Sequence, residues 1–170
     1  TRGNHFGGVL TLPDASLATF FFAGLWFSKR YSLFAALLAE AACIDYLAIS
    51  HFGVSDFCVS PAYGFLLPAY GLMWFFGEQM QENSGDFFSS TAKLFTALFL
   101  ATSLAFLLTN GSFYWFSGKY PQANWVEYIQ RSFKYYPPYL GFAMMYGAII
   151  VILKAFVSYL GFAGVSRQRV

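Results

Sequence analysis

The chain has 170 residues, of which 58% are hydrophobic and 22% aromatic, and it carries only 10 basic and 8 acidic side chains. A soluble chain is roughly 25% charged, and a domain of ~150 residues buries only about 70% of its unfolded surface, so this much apolar side chain implies lipid as solvent. A net charge of +2 without a basic run excludes a nucleic-acid binder, and two cysteines exclude a disulfide framework.

In chain order, Arg2–Gly8 reads as the exit of a helix into a loop, so a further span is expected ahead of Thr1. Five stretches then reach or approach the about 20 apolar residues that a helix needs to cross a bilayer. They are Pro13–Ser28, Tyr31–Ser50, Pro61–Gly77, Ala92–Asn110 and Pro138–Ala163. The first and third are short, and are expected to be tilted, extended by their flanks or partly buried in protein. Leu94–Leu108 is apolar all round, unlike the alternating segments of about ten residues in a β-barrel. Between the last two stretches, Trp125, Ile129 and Phe133 recur every four residues with Glu127, Gln130, Arg131 and Lys134 between them. This pattern over Asn124–Tyr136 predicts an outer amphipathic helix on the membrane surface or capping the bundle. Tyr135, Tyr136 and Tyr139, around Pro137–Pro138, suit an interfacial aromatic belt. The expected fold is an all-α membrane protein: one domain over residues 1–170, a compact bundle of five helices, six with the preceding one.

Lys29, Arg30, Lys93, Arg167 and Arg169 fall on one side of these spans; Arg2, Lys119, Arg131 and Lys134 fall on the other. Because basic residues favour the cytoplasmic side, the C-terminus is expected inside. His51–Ser60 and Gly111–Pro137 then face outward.

Charges within a span cost about 2.5–3.5 kcal/mol on insertion scales, which makes each a functional candidate. Glu40 and Lys154 each lie nine residues from the cytoplasmic ends of their spans, a depth of roughly 14 Å. A buried Glu40–Lys154 ion pair is therefore expected, with a transport or proton role as the alternative. Asp45 lies five residues from the outer end at Ser50, on another face of the helix from Glu40. It is either the floor of an outward polar pocket, a solvated carboxylate or a partner for Arg131. Arg131 has a second simple reading, an i,i+4 pair with Glu127.

The outer loop His51–Gly64, HFGVSDFCVSPAYG, is the most informative stretch. Cys58 is a thiol facing an oxidising compartment, where thiols are normally paired. Its only possible partner, Cys43, lies mid-span, a poor match for a Cα separation below about 7 Å, and is expected to pack as a small hydrophobe. Cys58 is either a buried loop cysteine or one soft ligand for a metal already held in a cofactor such as a haem or a corrinoid. Cys58 with His51 alone makes no metal cage. His5 and His51 are either axial or hydrogen-bonding groups or incidental surface histidines. Tyr63, five residues after Cys58, is the aromatic best placed to line a flat macrocycle.

LPDASLATFF (Leu12–Phe21), CIDYLA (Cys43–Ala48) and VSDFCVSPAYGFLLPAYG (Val54–Gly71) together resemble the BtuM family over nearly the whole chain. These are small cobalamin-uptake proteins of the bacterial cytoplasmic (inner) membrane, related to the substrate-binding S-components of energy-coupling-factor transporters. The resemblance implies cobalamin (vitamin B12) in an outward pocket with Cys58 on the cobalt, and Asp45, Tyr63, Arg131 and His5 as pocket residues. It leaves open whether a shared ATPase module or none is the partner. The small-xxx-small docking positions of S-components lie in a first helix; Ala35–Ala39 has that spacing in a later span. Soft thiolate suits cobalt, whose corrin leaves two axial positions, and its coordination is expected to weaken the opposite bond and release cyanide from cyanocobalamin, helped by a second thiol. An S-component for another vitamin, a thiol-dependent haem or redox membrane enzyme, and a structural membrane subunit without ligand are the competing readings.

Overall fold

The computed structural model describes residues 13–51, 60–81 and 87–167, and every element among them is helical. They are α1 (Ser16–Trp26), α2 (Tyr31–His51), a 3-10 turn (Pro61–Phe65) running straight into α3 (Leu66–Gln79), α4 (Phe87–Phe116) and α5 (Trp125–Arg167). Three helical segments, Tyr31–His51, Ser89–Phe116 and Trp125–Leu160, are long and apolar enough to cross a membrane. The chain thus reads as an all-helical membrane protein.

The two short helices form the core together with Ala97, Leu98, Ala101 and Ala105 of α4. α1 has 11 residues, about 16 Å at 1.5 Å per residue, too little for a bilayer. Its start is fixed by Asp14, whose carboxylate accepts from the Ser16 N–H at 2.9 Å and the Ser16 hydroxyl at 2.6 Å. Phe20, Phe21 and Phe22 are all buried, so α1 meets protein on several sides. It runs parallel to α3: Phe20 stacks on Tyr70 with centroids 4.2 Å apart, and Gly24 lies against Trp74. Ser28 donates to Glu78 at 2.7 Å.

Two glycines allow that contact. A Cβ on Gly24 would collide with the Trp74 carbonyl, and one on Gly77 with the Phe21 carbonyl. Small residues of this kind let helix backbones approach closely in lipid, where the hydrophobic effect does not press helices together. Below them Glu78 closes the turn into α2, accepting from the Ser28 hydroxyl and from the Lys29 N–H at 3.2 Å. Lys29 has φ 63°, a left-handed conformation costly for a side chain with a Cβ, and that bond to Glu78 helps to hold it.

α4 and α5 form an antiparallel hairpin along most of their length. Trp115 meets Trp125, Asn110 donates to Ser132 at 3.1 Å, the Ser103 and Tyr136 hydroxyls lie 2.8 Å apart, and Phe106 contacts Tyr139. The expected separate outer helix over Asn124–Tyr136 is therefore corrected: it is the first three turns of the 43-residue α5, which continues through Pro137 and Pro138. The prolines remove two N–H donors, but Asn110, Ser103 and Phe106 on α4 bind α5 on both sides of the break. Trp125, Ile129 and Phe133 are all exposed on one face of α5, although Trp125 also touches Trp115.

Two further expectations are corrected. Glu40 and Lys154 are both exposed and form no ion pair with each other, because α2 packs along α1 while α5 packs chiefly along α4. Cys43 is exposed rather than packed; of the α2 side chains only Ala41 is buried.

The glycine contact predicts that Gly24→Ala and Gly77→Ala each lose about 1–3 kcal/mol, the cost of overpacking a close contact. Gly71→Ala, where an added Cβ meets nothing within 4 Å, should not lose stability. Thermal unfolding in detergent checks this, and equal midpoints for all three variants would contradict the packing described.

Candidate functional site

The end of the bundle where α2 stops and α3 begins gathers most of the chemically capable side chains. Ser60 is extended (φ −152°), Pro61 opens the 3-10 turn, and the Tyr63 N–H donates to the Ser60 carbonyl at 2.8 Å. This turn sends the Tyr63 hydroxyl back toward α2, where it donates to Asp45 Oδ2 at 2.5 Å. The contact ties two helices whose connection runs through residues 52–59. At the end of α2 the Ser50 hydroxyl donates to the Tyr46 carbonyl at 2.6 Å and lies 2.7 Å from His51 Nδ1.

Below the Asp45–Tyr63 pair, a cleft of about 220 Å³ opens between Leu38, Ala41 and Ala42 of α2 and Tyr63, Leu67 and Tyr70. Its lining is mainly apolar. Small-molecule sites usually enclose about 300–1,000 Å³, so this cleft is smaller than a typical whole-ligand site.

The α4–α5 connection meets the same end, since Phe65 of the 3-10 turn stacks on Phe116 at 5.9 Å. There Tyr114 is buried, its hydroxyl accepting from the Asn124 N–H at 2.9 Å and lying 3.0 Å from both the Asn124 carbonyl and Glu127 Oε2. Asn124 caps α5, accepting from the Glu127 N–H at 3.0 Å. Arg131 lies one turn further, its guanidinium carbon 4.6 Å from the Tyr120 ring centre and 5.2 Å from that of Tyr135. Those rings, rather than the carboxylate of Glu127, hold it; cation–π contacts of this kind are worth about 0.5–2 kcal/mol. Lys134 shares the Tyr135 ring at 5.3 Å.

Of the residues singled out from sequence, the fold brings Asp45 and Tyr63 into direct contact and sets Arg131 on the neighbouring hairpin. Cys58 and His5 lie outside the described residues. No group of three or more His, Cys, Asp or Glu suited to a metal occurs among the described residues. Sequence reasoning missed the Tyr114–Asn124–Glu127 hub and Glu78. The hub had a signal: Asn124 followed three residues later by Glu127 is a capping-box pattern. Glu78 had none, because its partners are 49 and 50 residues away. Searches of protein-family models and of curated proteins find no match to this chain.

Tyr63→Phe and Asp45→Asn should be coupled. A double-mutant cycle in detergent melts is expected to show about 1 kcal/mol between them; strictly additive losses would contradict a hydrogen bond that joins the helices.

Proposed function

We propose that this chain is an S-component-like membrane protein that binds cobalamin for uptake, with the Cys58 thiolate on cobalt and the Asp45–Tyr63 pair holding the edge of the corrin. The observation that carries the reading is the Asp45–Tyr63 hydrogen bond, which ties α2 to the 3-10 turn at the two ends of the segment bearing Cys58. In sequence, Cys58 stands two residues before Ser60, at which the 3-10 end of the bundle begins. With the Lys29–Arg30 turn inside the bacterial cytoplasmic membrane, this end faces outward and takes substrate from outside.

The chemistry follows from the groups named. The corrin supplies four equatorial nitrogens, so a site with one thiolate and no cage of its own is sufficient. Thiolate rather than thiol is the metal ligand, so cobalt binding releases the thiol proton. The step is a redox-neutral exchange: a cobalt–sulfur bond forms, the cobalt–cyanide bond breaks, and cyanide leaves with the thiol proton as hydrogen cyanide. Corrin amides present donors and acceptors that match the Asp45 carboxylate, the Tyr63 hydroxyl and the Arg131 guanidinium. An apolar edge of the ligand fits the cleft under Tyr63.

The test is the visible spectrum of cyanocobalamin on the purified protein beside Cys58→Ala and Asp45→Asn. The expected result is a shifted cobalt spectrum with cyanide release in the wild type. Cys58→Ala should lose both, and Asp45→Asn should bind at least tenfold more weakly with the shift retained on saturation. No binding by the wild type, or the same shift in Cys58→Ala, would overturn the reading.

A further inference from the structure

A second groove lies at the opposite end of the bundle, between the last turns of α3 and the first turns of α4. It is about 480 Å³ in volume, and the residues along it change character with depth. Gln79, the last residue of α3, and Ser89 and Lys93 of α4 line one end; Phe75, Ala97 and Leu100 line the other. Lys93 and Leu100 are seven residues apart, about 10 Å along the helix axis. A polar mouth leading into an apolar trough has the profile of a lipid, with its headgroup at the interface and its chain alongside the helices.

Lys93 decides the chemistry. Its side chain is exposed and has no carboxylate partner among the described residues. The acid nearest in the α3 sequence, Glu78, is engaged by the Ser28 hydroxyl and the Lys29 N–H. Gln79 and Ser89 add neutral donors beside the ammonium. What fits one ammonium flanked by neutral donors is a single phosphodiester, the group common to zwitterionic and anionic phospholipids.

We propose that this groove is a binding site for one phospholipid, with an acyl chain along Phe75, Ala97 and Leu100 and the phosphate on Lys93. Another helix or a second copy of the chain would fill the apolar trough without using Lys93, which separates those occupants from a lipid. The site lies at the end away from Asp45 and Tyr63 and does not depend on what is bound there.

The experiment measures phospholipid retained per chain, by mass spectrometry of the intact protein and by phosphorus content, after exchange into lipid-free detergent. It then measures the melting shift on adding back single lipids. About one phospholipid per chain should survive in the wild type. Lys93→Gln and Ala92→Trp, the latter filling the groove from an exposed position, should each lower retention at least fivefold while keeping the far-ultraviolet spectrum of a folded helical protein. Added dioleoylphosphatidylcholine should raise the melting midpoint of the wild type and not of Lys93→Gln. Glycerol phosphate, which has no chain, and dioleoylglycerol, which has no phosphate, should each leave the wild type unshifted. Equal stabilisation by dioleoylglycerol, unchanged retention in Lys93→Gln, or a stable dimer cross-linked through Ala92→Cys would each overturn the assignment.

Discussion

The bundle depends on how closely α1 and α3 approach. Two backbones meet at Gly24 and Gly77, where no other residue type leaves room. From this contact follow the Phe20–Tyr70 stack above it and the Glu78 turn below it. Phe34 of α2 then packs edge-on against both Phe20 and Trp74, so the position of α2, and of Asp45 along it, is inherited from the α1–α3 pair. In a hydrocarbon solvent such close packing and the hydrogen bonds between helices must do what apolar burial does in water.

Polar side chains complete the assembly where helices are not pinned by glycine. The α4–α5 hairpin is tied by Asn110–Ser132 and Ser103–Tyr136 within its length and by Tyr114 at its head. The Tyr146 hydroxyl donates to the Pro13 carbonyl at 2.7 Å, joining α5 to the start of α1. Within α4, Ser103 and Thr109 donate to carbonyls four residues back, at 2.7 and 2.8 Å, so that few polar atoms are left without partners. Thr102 Oγ1 and Trp74 Nε1 are buried exceptions.

The helical class and the apolar character of the chain were legible from composition; of the three expectations for the two short spans (tilt, extension by their flanks or partial burial in protein), burial is the one seen, at Phe20–Phe22 and at Tyr70, Met73 and Trp74. What could not be read was which helix neighbours which. The Glu40–Lys154 expectation used depth, which sequence supplies, and assumed adjacency, which it does not; α2 and α5 line different partners. The amphipathic segment Asn124–Tyr136 and the span from Pro138 were read as separate elements, yet three contacts from α4 on both sides of Pro137–Pro138 accompany one continuous helix. Asp45 and Tyr63 were each singled out from sequence, but their mutual hydrogen bond was not, since it spans 18 residues. Cys43 was expected inside on the general habit of cysteine, and the exposed face of α2 carries it instead.

In the proposed function, the Asp45–Tyr63 end of the bundle presents a thiolate to a metal that arrives with its own macrocycle. The most direct measurement is X-ray absorption at the cobalt edge of the purified chain mixed with cyanocobalamin. The account predicts one sulfur neighbour at cobalt in place of a light axial ligand, absent in Cys58→Ser. A cobalt surrounded only by nitrogen, carbon and oxygen in the wild type would contradict it.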